Sequence, residues 1–189
     1  MIHAKVKPGF WEARAGLDGF RTTMNAYAPA AILDRWHRAH VEALTPIVQG
    51  RRVLDVGCGE GRLGVGLREV YATYKGLDFT STFVHRARLA GLDVDQQDLA
   101  ATPWPVGQFD TAILVNVLLH LTDKDWPRVV DEAVSHSGVL VLVEDELREG
   151  QRAAYFTKRP LWGYLRGLVG TATCWRLPDS ETGVLVFTC

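Results

Sequence analysis

The sequence predicts an α/β fold, with helices packed on a mostly parallel sheet, and three observations predict it. Residues 51–56, Arg-Arg-Val-Leu-Asp-Val, read as a short apolar strand that runs straight into a glycine-rich turn. Strand-like and helix-like segments then alternate as far as residue 143, the pattern of crossover connections between parallel strands. Residues 109–116, Phe-Asp-Thr-Ala-Ile-Leu-Val-Asn, form a near-continuous apolar run, as expected of a central strand covered on both faces.

Before the first strand the spacing predicts two helices. One spans roughly 9–20 and carries Phe10, Trp11 and Phe20. The other starts at Pro29, a good first-turn residue, and sets Ile32, Leu33, Trp36, Ala39, His40, Ala43 and Leu44 at helical spacing, so that one face is buried. His37 and His40 lie on this helix, but no third or fourth ligand accompanies them, and no metal is expected.

The turn after the first strand contains Gly57, Gly59 and Gly61, with Asp55 two residues before the first of them. Glycines at a strand end let the backbone take positive φ and press against a ligand without a Cβ in the way. Residues 59–64 also spell G-x-G-x-x-G, the pattern of a dinucleotide site. Against that reading, Gly57 precedes the string and Asp55 would set a negative charge beside two phosphates. A ligand with a cationic or zwitterionic end fits better.

A helix is expected over 61–70, with Leu63, Leu67 and Val70 inward, and a strand over 73–79 in which Asp78 closes the run. A carboxylate about 20 residues past a glycine turn, at the end of the neighbouring strand, is placed to accept both hydroxyls of a ribose. A helix over 81–90 ends at Gly91, and a third strand over about 92–97 leads to Asp98 and Leu99. After the strand ending at Asn116, Pro127 must lie in the first turn of a helix that runs to about His136. A fifth strand, 139–143, ends in Glu144-Asp145-Glu146. About 30 residues bearing Tyr155, Phe156, Arg159, Trp162 and Tyr164 follow, and a hairpin of strands 172–177 and 183–188 ends the chain.

With 189 residues, 47% of them apolar, the chain has material for one sizeable core, and one domain over 1–189 is expected. A net charge of −1 with interspersed signs offers no footprint for nucleic acid or an anionic membrane. No apolar run reaches the roughly 20 residues that span a bilayer, and the first residues lack a signal-peptide core, so a cytoplasmic location is expected. Cys58, Cys174 and Cys189 are scattered and odd in number, and read as free thiols.

Val-Leu-Asp-Val-Gly-Cys-Gly-Glu-Gly over 53–61 resembles the first motif of the class I S-adenosylmethionine-dependent methyltransferases. Gly-Leu-Asp-Phe-Thr over 76–80 is similar to the second motif. The stretch from Asp98 through Pro103-Trp104-Pro105 to Phe109-Asp110 resembles the family's adenine-binding segment, and Val117-Leu-Leu-His120-Leu resembles its Val-Leu-His-His-Leu, with Leu119 in place of the first His. The resemblance covers about residues 51–189. It implies a Rossmann-like, doubly wound sheet of seven strands with the last antiparallel, preceded by a helical cap over 1–50. It also implies S-adenosylmethionine, with no metal, as the cofactor, which leaves as S-adenosylhomocysteine. The implied binding set is Asp55, Gly57, Cys58, Gly59, Asp78, Phe79, Asp98, Leu99 and Asn116. Within it, Asp98 would take the adenine amino group and the next N–H a ring nitrogen, a complementary donor and acceptor pair.

Methyl transfer from a sulfonium needs alignment, exclusion of water and, for a hydroxyl acceptor, a base. The candidate bases near the strand ends are His120, Glu144 and Asp145. For His120 a local structural role weighs as much as a catalytic one, and as a base it should give a rate that rises through a pKa near 6–7. Asn116 is not followed by Pro-Pro-aromatic, no Pro-Cys pair sits there, and the paired-glutamate loop of arginine methyltransferases is missing. A small organic acceptor, methylated at O or N, is therefore expected. A protein or ribosomal component as acceptor, or a non-catalytic module that only binds the donor, remains as the alternative. The aromatic residues of the first 40 or so positions read equally as a lid over the acceptor and as core.

Overall fold

The structure is a computed structural model that describes residues 9–17, 22–24, 27–145, 171–176 and 182–188. In chain order the elements are α1 (Phe10–Arg14), α2 (Ala30–Val48), β1 (Arg52–Val56), α3 (Arg62–Gly66), β2 (Thr73–Asp78), α4 (Ser81–Leu89), β3 (Val94–Gln96), β4 (Phe109–Val115), a 3-10 turn (Leu118–His120), α5 (Asp125–Ser135), β5 (Ser137–Asp145), β6 (Thr171–Arg176) and β7 (Thr182–Thr188). β3, β2, β1, β4 and β5 pair in that order, all parallel. Beyond β5, β7 runs antiparallel with Val141 opposite Val186, and β6 pairs with β7. The predicted α/β architecture with a mostly parallel central sheet is therefore present.

Strand alternation divides the interior into two layers, because successive side chains point to opposite faces. Leu54 and Val56 of β1, Ala112 and Leu114 of β4, and Leu140 and Leu142 of β5 face α5, where Trp126, Val129, Val130 and Ala133 are buried. Val53, Ile113, Val141 and Val143 face the other way, onto Leu44 and Val48 of α2, Leu63 of α3 and Val84 and Ala87 of α4. Burial on both faces is why β4 reads as a continuous apolar run.

The boundaries differ from expectation most in α1, α3 and β3, and β5 runs longer than the expected 139–143. α1 is five residues, and the expected Phe20 lies outside the described residues. α3 stops at Gly66 instead of residue 70, because two glycines in five positions weaken a helix and Leu67 leaves helical geometry at φ −104°. β3 is three residues, shorter than the expected 92–97. The aromatic residues between 155 and 164 and the hairpin turn 178–181 also lie outside the described residues, so the lid and turn expectations made there are not addressed.

The glycine turn is fastened by its backbone. The N–H groups of Gly57 and Cys58 both donate to the Leu77 carbonyl, at 2.7 and 3.0 Å, tying the turn to the end of β2. Gly57, Gly59 and Gly61 have φ of 75°, 58° and 82°. At Gly61 a Cβ would also lie 2.3 Å from Leu92 Cδ1 and 3.2 Å from Ala87 Cβ, both buried. Gly61→Ala is expected to lower stability by about 2–4 kcal/mol, the left-handed backbone and the overpacking acting together. Urea unfolding with an unchanged m-value would measure it, and a loss below about 0.5 kcal/mol would contradict this account.

Candidate functional site

Parallel strands carry their carboxyl ends to one edge of the sheet, and there the structure gathers nearly all of the predicted site residues. A cavity of about 660 Å³ is lined by Asp55, Gly57, Cys58, Gly59, Asp78, Phe79, Asp98, Leu99, Asn116 and His120. Glu144 is not among its lining residues. Its Oε1 accepts the N–H groups of Val117 and Leu118, at 3.0 and 2.9 Å, which tethers the 3-10 turn to the end of β5. The side chain of Asp145 lies outside the described residues.

Asp78 is buried and spends two acceptor positions on the protein. Its Oδ2 takes the Gly59 N–H at 2.9 Å and its Oδ1 the Thr80 N–H at 2.8 Å. Burial still raises its pKa, against the lowering effect of those hydrogen bonds. A carboxylate has about four lone-pair sites, so acceptor capacity toward the cavity is left. Asp98 is exposed, with Oδ1 on the Ala100 N–H at 3.0 Å, and the adjoining Leu99 N–H has no acceptor among the described residues.

Asp55 is the more strained group electrostatically. It is 2% exposed and accepts the Tyr74 hydroxyl at 2.8 Å. Burial lifts its pKa to about 6; the Tyr74 hydrogen bond and the nearby Arg62 charge oppose that rise, and Asp78 adds to it. Cys58 is buried as well, and burial with the two neighbouring carboxylates holds its thiol well above the ordinary range. It is no nucleophile. It is a small side chain in a tight place, since a Cβ on Gly76 would lie 2.8 Å from its Sγ.

The other end of the cavity is formed by the 3-10 turn and the N-terminal segment. Trp11 stands edge-on to the His120 ring at 4.9 Å and 89°, and to Phe83 at 6.2 Å. Burial, then the positive charge of Arg14, takes the His120 pKa down to about 4, which corrects the expected titration near 6–7. The segment is also latched from the side. Thr22 Oγ1 donates to Glu60, Arg86 reaches Glu60 at 3.3 Å and the Ala15 carbonyl at 2.6 Å, and Thr23 packs its methyl over Gly59.

Among the described residues, four buried polar atoms on the cavity's lining have no hydrogen-bond partner: Thr23 Oγ1, Thr80 Oγ1, Asn116 Oδ1 and His120 Nδ1. Asn116 is held in place by left-handed backbone, φ 56°, and by its N–H on the Val143 carbonyl at 2.8 Å. Such atoms clustered on one concavity are the expected counterpart of a polar ligand. Thr23, Arg62, Thr80, Gln96, Thr122 and Asp125 also line the cavity and were not singled out from the sequence. Arg62 alone carried a signal, its place directly after Gly61.

Residues 53–137 match the family model described as a methyltransferase domain. Among curated proteins, the ubiquinone biosynthesis O-methyltransferase of Bordetella avium is 34% identical over 94 residues, 45% of this chain and 38% of that protein. The fatty-acid O-methyltransferase of Mycolicibacterium smegmatis is 38% identical over 82 residues, 40% of this chain and 30% of its own length. The chain thus spans well under half of these relatives. Among solved structures, the magnesium protoporphyrin IX methyltransferase of Synechocystis PCC 6803 with bound S-adenosylmethionine shares the fold at TM-score 0.62 and 18% identity, over 97% of this chain and 92% of that one.

The burial of Asp55 predicts a pH dependence of stability. Its folded pKa, about 6, lies above its ordinary 3.8, so the native state holds the proton more tightly than the unfolded chain. The ionised form is therefore penalised: the penalty is absent below pH 4, grows from 4 to 6, and is complete above 6, at about 3 kcal/mol at most. Asp55→Asn is expected to be more stable than the parent by about 1–3 kcal/mol at pH 7.5 and to lose that advantage at pH 4. Denaturant midpoints at the two pH values measure it, and a pH-independent difference would count against the assignment.

Proposed function

From the premise that this chain belongs to the class I S-adenosylmethionine-dependent methyltransferases, we propose that it transfers a methyl group from S-adenosylmethionine to a small organic acceptor, at O or N, by in-line displacement. The observation that carries the reading is a continuous cavity of about 660 Å³ that joins the motif residues to His120 and Trp11, a size suited to a small-molecule site. The cluster of unpartnered polar atoms on its walls fits a polar, nucleoside-bearing ligand. The two curated relatives named above, both O-methyltransferases, favour an oxygen acceptor.

In this reading Asp78 accepts the ribose hydroxyls, and Asp98 with the Leu99 N–H pairs with the adenine edge. Phe79 and Asn116 line the same site, and Asp55, Gly57, Cys58 and Gly59 bound the amino-acid end. The bound cofactor supplies an electrophilic methyl on a positively charged sulfur. Trp11, Phe83 and Val117 exclude water from the reacting end and present apolar and aromatic surface to a cation. His120, neutral at physiological pH, has no partner for Nδ1 among the described residues and orients or deprotonates the acceptor. No metal takes part.

The same reading treats residues 1–189 as one domain, with 1–50 as the helical cap and 51–189 as a Rossmann-like core. It takes the sheet as seven-stranded with an antiparallel last strand, which the β5 and β7 register supports. It also puts the protein in the cytoplasm, and no described helix is long and apolar enough to cross a membrane.

The test is to incubate the protein with methyl-labelled donor and either a small-molecule extract or the macromolecular fraction of a lysate. Label in the small-molecule pool is expected. Label in protein or ribosomal components would overturn the acceptor class, and failure to form demethylated donor with either pool would favour a non-catalytic binding module.

Two variants separate the roles. Asp78→Ala is expected to weaken donor binding by about 30- to 1000-fold, the loss of two hydrogen bonds to a charged acceptor; unchanged affinity by calorimetry would remove the residue from the site. His120→Ala is expected to lower turnover by about 100-fold, the low end for general-base catalysis, with donor affinity unaltered. Because the imidazole stays neutral well below pH 6, that factor should be the same at pH 6 and pH 8. A deficit that appears only above pH 6.5 would contradict the lowered pKa.

A further inference from the structure

Two charged residues that do not line the cavity, Glu60 and Arg86, fasten the segment that carries Trp11 to the body of the protein. Glu60, in the glycine turn, accepts the Thr22 hydroxyl on Oε1 and the Arg86 guanidinium on Oε2, the latter at 3.3 Å. Arg86, on α4, gives its other Nη to the Ala15 carbonyl at 2.6 Å. Ala15 and Thr22 are both buried, so the bridge ends inside the segment and not on its surface. The Arg86–Glu60 pair is partly exposed, and its charge attraction alone is weak. Its grip comes from geometry, because one guanidinium spans the glycine turn and a buried carbonyl.

Arg14 makes one unit of the segment. Its Nε donates to the Thr22 carbonyl at 2.9 Å and its Nη2 to the Met24 carbonyl, while its guanidinium carbon stands 5.5 Å from the centre of the Trp11 ring. What holds Thr22 and Ala15 therefore also holds Trp11. Phe83, which meets Trp11, and Arg86 lie three apart on α4, so one face of that helix supports the ring and anchors the chain beside it.

We propose that Arg86 and Glu60 are positioning residues: their bridge to the Ala15 carbonyl and the Thr22 hydroxyl holds Trp11 against His120, and so sets the end of the cavity at which His120 acts. For turnover this rests on the methyl-transfer reading above, whereas the placement of Trp11 on His120 can be tested without any donor.

His120 supplies the readout. The charged groups on the elements around it are Glu12 and Arg14 of α1, Glu144 of β5 and Asp125 of α5. Burial comes first in lowering the ring's pKa to about 4 and the Arg14 charge second, and the ring stands edge-on to Trp11 of the fastened segment. Loosening the bridge exposes the ring and moves Arg14 away, so the pKa should rise toward its ordinary 6.5.

The experiment follows the His120 imidazole by NMR on the full chain, its signal identified by its loss in His120→Ala, and in parallel the turnover of methyl-labelled donor with a small-molecule extract. The parent signal is expected not to titrate above pH 5. In Arg86→Met it should titrate with a midpoint between about 5 and 6.5, and turnover at saturating donor should fall by about 10- to 100-fold, the cost of a displacement on the order of 1 Å. Arg86→Lys keeps the charge without the fork and should restore part of both. If Arg86→Met does not fold, Glu60→Ala, outside α4, carries the same expectation. A His120 titration that stays as in the parent in Arg86→Met and Glu60→Ala overturns the proposal. So does a turnover loss without a shifted titration, which would place the effect of Arg86 elsewhere. A shifted titration in the variants of a parent that turns over no donor supports the bridge and removes the methyl-transfer reading instead.

Discussion

The structure depends on keeping two carboxylates, Asp55 and Asp78, out of water at the carboxyl ends of neighbouring parallel strands. Burial raises the pKa of both, so each is held in a place it would not choose alone. The glycine turn makes the arrangement possible. It gives one N–H to Asp78 and two to the Leu77 carbonyl, and the lack of a Cβ at Gly57 and Gly59 lets Val117 and Thr23 pack against it. The binding edge is therefore a device for desolvating charge, with Tyr74, Arg62 and backbone amides as partial compensation.

That compensation being partial is informative. A fully satisfied Asp55 would have a depressed pKa and little to gain from a ligand. The raised pKa of Asp55 shows instead that Tyr74 and Arg62 do not offset the cost of its burial.

Much of the core was legible because strand alternation is a strong signal: β1, β4 and β5 sort their residues to two faces as their periodicity requires. The carboxylates were legible for a related reason, since Asp55 and Asp78 interrupt apolar runs at strand ends, where packing has no use for them. What escaped was non-local. Thr23 reaches Gly59 from an irregular segment 36 positions away, which no local pattern announces. Glu144 reads from the sequence only as an acid at a strand end, and the fold adds the two amides that it caps. The length of the helix after the turn does not follow from apolar spacing, because Gly64 and Gly66 shorten it. The lowered pKa of His120 was not legible either, because burial beneath Trp11 is a tertiary fact.

The hydrogen bonds of Glu144 explain how the two ends of the cavity are kept in register. One end is built on β1 and β2, through Asp55, Asp78 and the glycine turn. The other is built on the exit of β4, and Glu144 at the end of β5 caps the turn that bears His120, while the Asn116 N–H is taken by Val143 on the same strand. β1 pairs with β4 and β4 with β5, so both ends are mounted on one continuous hydrogen-bonded sheet. The N-terminal segment then bridges them from above, with Trp11 on His120 at one end and Thr22 on Glu60 of the glycine turn at the other. The spacing of the two ends is thus a property of the sheet, and their enclosure on this side is a property of the N-terminal segment, whose contacts are both aromatic and polar. That division suits a reaction whose main demand on the protein is that two partners meet in line and dry.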